Sequence, residues 1–306
     1  MSPAPINSQM RAHEWAMLVL LSSVWAGSFF FNGVAVRELP VMSIVLGRVG
    51  IATLLLVPWL IWRGAALPRD PVIWRAFLMM GLFNNVLPFC LIVWGQGHIS
   101  SGQAAILNAT TPIFTVIVAH FLTDDERLSP TRLAGILVGF AGVAVMVGGG
   151  VMRDSGATLA AYCALLGASL SYGYGAVFGR RFRNLGVAPM TTAAGQLACA
   201  SLLLLPLWLL VDRPWQMDMP GMAALLAVLG IACISTAFAY GLYFRILTTA
   251  GATNLSLVTI LIPPGAILLG VLFLDEVLLT RHLLGLGLIL AGLAVTDGRI
   301  LRRRQA

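Results

Sequence analysis

The sequence predicts an all-α membrane protein of ten transmembrane helices, arranged as an inverted repeat of two five-helix halves. Three observations lead there. Hydrophobic residues make up 59% of the chain and charged residues 10%, against roughly 25% charged in an ordinary soluble domain, so the chain cannot cover itself with a polar surface and takes the lipid bilayer as its solvent. Apolar runs of about 20 residues, the length that crosses the hydrocarbon, recur ten times, where a β-barrel would show short alternating segments. The chain also repeats itself: GRVGIATLLLVP from Gly47 to Pro58 returns as GQLACASLLLLP from Gly195 to Pro206 at a spacing of 148. Asp125-Glu126, Gly135 and Gly142 likewise return as Asp275-Glu276, Gly285 and Gly292 at a spacing of 150.

The ten runs lie near 14–36, 41–62, 72–97, 102–121, 131–150, 157–179, 188–211, 221–246, 253–273 and 281–300. This divides the chain into a tail (1–13), a first five-helix repeat (14–150), a second (151–300) and a basic tail (301–306). Weak internal symmetry in an apolar chain is how pseudo-symmetric transporters show in sequence. Five is an odd number, so the second half threads the membrane upside down relative to the first, and helix 1 pairs with 6, 2 with 7, 3 with 8, 4 with 9 and 5 with 10.

Orientation follows from arginine, since the chain has no lysine. Alternate connections and the two tails collect fourteen arginines on one side, and the other side holds only Arg37, Arg153, Arg213 and Arg281. The positive-inside rule puts both termini in the cytoplasm. Spread over six segments, these arginines mark topology and form no patch for nucleic acid, despite a net charge of +7.

Helix 1 is too long for a cleaved signal core and has a counterpart in helix 6, so it is expected to be retained; it carries Trp25, and helix 6 carries Tyr172 at a nearly equivalent place. Helix 2 holds Arg48 inside the span, roughly 10 Å from its outer end at 1.5 Å per residue. Such a charge marks function by default, although the side chain could also snorkel to the interface; a structural or gating role is the reading preferred over direct ligation. Its mate in helix 7 is the uncharged Gln196. Helix 3 brings Asn84 and Asn85, then Pro88. Helix 4 brings Asn108, Thr110, Thr111 and Pro112, and its mate helix 9 brings Ser256, Thr259, Pro263 and Pro264. A proline removes an amide and crowds the preceding turn, so both helices are expected to kink at matching depth and act as hinges; membrane helices also tolerate proline without any such role. Helix 8 adds Ser235, Thr236 and Tyr240. Helices 5 and 10 are lined with small residues, Gly135, Gly139 and Gly142 facing Gly285, Gly287 and Gly292, which suit close approach of the two halves.

The expected substrate contacts are therefore Trp25, Asn84, Asn85, Asn108, Thr111, Tyr172, Tyr240 and Thr259, with Pro112, Pro263, Pro264 and Arg48 as gating or hinge residues. Amides and hydroxyls suit an ammonium and a carboxylate, and aromatic faces suit a cation or an apolar side chain. The same groups could instead bond helix to helix. Every Asp and Glu falls at a helix end or in a connection, so no carboxylate waits at mid-membrane to carry a proton. Cys90, Cys163, Cys199 and Cys233 are too scattered for a metal or disulfide framework and read as small core residues. No cofactor or metal is expected.

Trp25, Gly47-Arg48, Thr111-Pro112, Asp125-Glu126, Gly135 and their second-half echoes Tyr240, Tyr243, Asn254, Pro263, Asp275-Glu276 and Gly285, in this order across the whole chain, resemble the drug/metabolite transporter superfamily in its ten-helix EamA-type branch. Within it the chain looks most like the YddG-type amino-acid exporters. The resemblance implies a monomeric exporter of the bacterial inner membrane that moves amino acids or similar metabolites by alternating access through a cavity between the halves. Alternatives are a drug or other metabolite exporter of the same fold, and, with less support, a channel or a membrane enzyme. The chain shows no HExxH, GxSxG or phosphate-binding loop for an enzyme, and no charged ring or repeated filter motif for a channel.

Overall fold

The computed structural model describes residues 10–123, 128–148 and 156–297. Asp125-Glu126 of the repeat, and Arg127, Arg153 and the basic tail of the topology argument, lie outside them. The ten main helical segments are α1 (Ala12–Ala35), α2 (Val41–Trp62), α3 (Pro71–Gln96), α4 (Ser101–Leu122), α5 (Pro130–Val147), α6 (Gly156–Gly179), α7 (Pro189–Leu207), α8 (Met222–Gly251), α9 (Val258–Phe273) and α10 (Thr280–Asp297). Among the described residues no strand occurs. Seven of these helices have the length and hydropathy of a membrane span; α9 and α10 are shorter apolar helices, and the 24 residues of α6 are diluted by Gly, Ser and Tyr.

The packing repeats as the sequence does. In the first direction α1 lies against α8 and α9; in the other, α6 lies against α3 and α4. The mates α2 and α7 pack on each other, as do α5 and α10. These main contacts between the halves thus either have a partner contact or are their own partner, which is the signature of an inverted repeat about a pseudo-two-fold axis.

Glycine explains the α5/α10 seam. A Cβ at Gly142 would stand 2.7 Å from the Gly285 carbonyl oxygen, and one at Gly285 2.7 Å from that of Gly142. Backbone meets backbone there, the geometry small residues permit in membranes. Gly287 faces open space and has no part in the seam. The cysteines also divide: Cys199 is buried, but Cys163 is exposed on the outside of α6 and is not a core residue.

Two helices depart from regular α geometry at matched depth. In α3 the segment Leu82–Val86 is π-helical, with the Leu87 N–H donating to the Leu82 carbonyl five residues back. In α8 the segment Cys233–Phe238 is π-helical too. Pro88 explains the first, since it withdraws the amide that the Asn84 carbonyl would have accepted from. The second has no proline; Thr236 Oγ1 donates to the Ile231 carbonyl at 2.9 Å.

α4 is broken outright. Helix runs from Ser101 to Asn108, turns at Ala109 and Thr110, and resumes as Thr111–Leu122 with Pro112 in its first turn. The matching interruption in the second half falls at Ser256–Leu257, ahead of α9. Pro263 and Pro264 lie beyond it, inside the continuous helix. The link between α8 and the turn preceding α9 is a single non-helical residue, Gly251, at φ 79° and ψ 165°, a conformation that glycine adopts without steric cost.

Candidate functional site

The π segments of α3 and α8 face each other across the molecule, and the polar residues they carry gather there. Asn85 is fully buried and its Nδ2 donates to the Tyr240 hydroxyl at 3.5 Å. Gln196 Nε2 donates to the same hydroxyl at 3.1 Å, and Asn84 Nδ2 reaches Gln196 Oε1 at 3.4 Å. Arg48 Nε donates to Thr236 Oγ1 at 3.0 Å, and its guanidinium lies 3.6 Å above the centre of the Phe89 ring. Phe89 in turn meets Tyr172 edge-on at 6.4 Å. The mates Arg48 and Gln196 therefore behave alike: each crosses to the π segment of the opposite half.

Hydroxyls from neighbouring helices hold these segments in place. Ser171 of α6 donates to the Phe83 carbonyl at 2.6 Å, and Ser235 of α8 donates to the Val24 carbonyl of α1 at 2.8 Å. Asn85 Oδ1 and Asn108 Oδ1 are buried with no partner. Unsatisfied buried acceptors are rare and call for an explanation.

Of the residues expected from sequence, Asn84, Asn85, Tyr172, Tyr240 and Arg48 converge on this centre. Trp25 approaches it through Tyr243, 5.8 Å away ring to ring. Asn108, Thr111 and Pro112 stand at the α4 break, where the Thr111 hydroxyl is taken by the Asn108 carbonyl at 2.7 Å. Thr259 is drawn off similarly, donating to the Ser256 carbonyl. Pro263 is buried and Pro264 points outward. Sequence reading did not single out the pairing of Gln196 with Tyr240, or Phe89 beneath Arg48. An apolar ring four residues past an Asn pair carries no sequence signal of its role.

The two faces of the bundle differ. On the arginine-poor face, three carboxylates each bind the start of a helix from the other half. Glu276 accepts from the Ser101 and Gly102 amides of α4 at 2.7 and 3.2 Å. Asp212, beyond α7, accepts from the amide and hydroxyl of Ser43 in α2 at 2.7 Å each, with Trp208 Nε1 donating to the same hydroxyl. Glu38 accepts from the Gly221 amide ahead of α8 at 2.6 Å. Carboxylates suit these positions because free amides and the helix dipole both favour negative charge. Glu276 is aimed by the turn closing α9: Asp275 adopts a left-handed conformation at φ 57°, and the Glu276 amide donates to the Gly270 carbonyl. Behind this clasp, Gln96 links Asn32, Ser101 and the Phe29 carbonyl, and Gln103 joins Tyr162 and His282.

On the opposite face an apolar groove of about 480 Å³ runs between α2, α7 and α8; its walls include the exposed Leu55, Trp59, Phe238, Gly241 and Arg245, and none of the residues of the polar centre lines it. At the equivalent place on the arginine-poor face the matching helices α7, α2 and α3 are in contact, with Cys90 and Met42 sulfurs 4.0 Å apart beside the Asp212 clasp. The Ser101–Asn108 part of α4 packs against α9, whereas the Thr111–Leu122 part packs mainly on α6.

The profile of the EamA-like transporter family matches residues 13–148 and again residues 159–296, one match per half. The chain belongs to the EamA-like transporter family. This transporter is similar to the uncharacterized inner membrane transporter YedA of Escherichia coli K12, at 29% identity over 93% of this chain and 90% of that one. It is similar also to an uncharacterized transporter of Archaeoglobus fulgidus, at 27% over 83% and 86%, and to the protein PecM of Dickeya dadantii, at 24% over 76% and 77%. A solved crystal structure at 22% identity superposes with a TM-score of 0.64 over 94% of this chain and 99% of that chain, a likeness that concerns the fold alone. The EamA-like transporter is thus a multi-pass membrane protein, and its paired family matches coincide with the two halves of the inverted repeat.

Proposed function

We propose that this transporter exports neutral amino acids, aromatic ones among them, from the bacterial cytoplasm by alternating access, with both termini inside. The observation that carries this reading is the centre built jointly by the two halves, where amide, hydroxyl and guanidinium groups of Asn84, Asn85, Gln196, Tyr240 and Arg48 meet the rings of Tyr172 and Phe89. Such a mixture matches a zwitterion with an apolar side chain better than it matches a purely hydrophobic drug, which needs no buried polar partners.

The difference between the faces supports the alternating part. Three interhalf clasps hold the arginine-poor side together. If the arginine-rich side is cytoplasmic, this is the state in which an exporter loads. Movement driven by the solute's own gradient is the accompanying reading, because no carboxylate lies at mid-membrane to carry a proton.

The test is transport by purified protein in liposomes loaded with a panel of labelled amino acids and hydrophobic cations. Saturable efflux of phenylalanine or leucine without an imposed pH gradient is expected. Saturable efflux of the cations alone favours the drug-exporter reading, and a strict requirement for a pH gradient overturns uncoupled movement.

A further inference from the structure

We infer that Arg48 is the anchor for a carboxylate on the transported solute, a role that rests on the amino-acid reading above but extends to any carboxylate-bearing solute. Its side chain is 8% exposed, deep within α2, yet no acidic partner meets it among the described residues. The ionisable groups that face it are the phenols of Tyr172 and Tyr240. What holds the guanidinium is one hydrogen bond, Nε to Thr236, and the face of Phe89. Among the described residues nothing bonds its terminal nitrogens Nη1 and Nη2, and neither is among the enclosed, unpartnered atoms. A buried cation without a counter-charge is costly to keep. A snorkelling arginine would extend toward the interface; this one is folded onto Phe89 and turned toward the opposite half.

The free edge of the guanidinium is the edge that takes a carboxylate through two parallel hydrogen bonds. Phe89 and Thr236 fix the plane of the fork, which leaves little ordering to be done when the ligand arrives. The mate of Arg48 is the neutral Gln196, already occupied with Asn84 and Tyr240, so the second half repeats no such anchor at the matching position.

Ligand analogues test this on the unmodified protein. Phenylalanine, 3-phenylpropionate and phenethylamine share a ring and differ in which charge they carry. Stabilisation of the purified protein against heat, with competition for efflux as the second readout, is expected from phenylalanine and phenylpropionate and to be at least tenfold weaker from phenethylamine. In Arg48→Gln the KM for phenylalanine is expected to rise tenfold or more with a smaller change in kcat, and phenylpropionate should lose its advantage over phenethylamine; Arg48→Lys should restore part of both. Equal action of the amine and the acids on the unmodified protein overturns the anchor, as does an Arg48→Gln protein that keeps the preference for acids. If acids act and no amino acid does, the anchor stands and the amino-acid reading falls. Amino-acid transport with no preference for the carboxylate has the opposite meaning.

Discussion

Glu276 shows how much one side chain can do when it spans two halves. Its two oxygens take two amides of α4, and charge-assisted hydrogen bonds contribute about 1.5–3 kcal/mol each where water is partly excluded. Glu276→Gln keeps the shape and removes the charge. If the clasp holds the arginine-poor face shut, that change shifts the population toward opening there, by about fivefold for each ~1 kcal/mol lost. A cysteine placed at Gln103 should be modified faster by a membrane-impermeant reagent in the Glu276→Gln protein; an unchanged rate would make the clasp a passive cap. This contact was only half legible in sequence. Asp275-Glu276 stood out because Asp125-Glu126 repeats it, but nothing in the local sequence joins a carboxylate after α9 to amides 174 and 175 residues earlier. Arg48 was legible for the opposite reason: a charge inside an apolar run announces itself, although its stacking on Phe89 depends on the rotation of α3.

At the scale of elements, ten helices and their pairing could be read from apolar runs and the repeat, since both depend on composition averaged over about 20 residues. What that average conceals is where a helix changes register. The π segment of α3 is foreshadowed by Pro88, but the one in α8 has no proline; there Thr236 donates to the Ile231 carbonyl of its own helix and Ser235 to the Val24 carbonyl of α1. The expectation of matched kinks at Pro112 and Pro263-Pro264 separates into two cases. Pro112 sits two residues past the turn that breaks α4, whereas the proline pair lies within unbroken helix while the second-half break falls at Ser256–Leu257. Pro112→Ala is accordingly expected to slow transport several-fold more than Pro263→Ala or Pro264→Ala, with similar amounts of each protein in the membrane. Equal slowing by all three would mean that the prolines act through general helix stiffness and that the break is incidental.

For the whole molecule, the inverted repeat is visible in both sequence and packing, but the halves are not copies in function. Symmetry is kept where helices cross, as in α2 against α7 and α5 against α10. It is broken in the clasps, the groove, the lone arginine and the one-residue link at Gly251. The arginine was legible as a charge in an apolar run, but the clasps were not, because they depend on which face is closed and a sequence encodes both states at once. The seam formed by Gly135, Gly142, Gly285 and Gly292 has a consequence of a different kind. Its backbone-to-backbone surface, which small residues would otherwise offer to a second chain, is consumed inside one polypeptide. Inheritance should reflect this. A cell carrying one working and one disabled copy of the gene is expected to transport at the rate set by the working copy alone, since no mixed assembly would exist for the defective product to poison; a rate well below half that of two working copies would reveal partners sharing a common channel of failure.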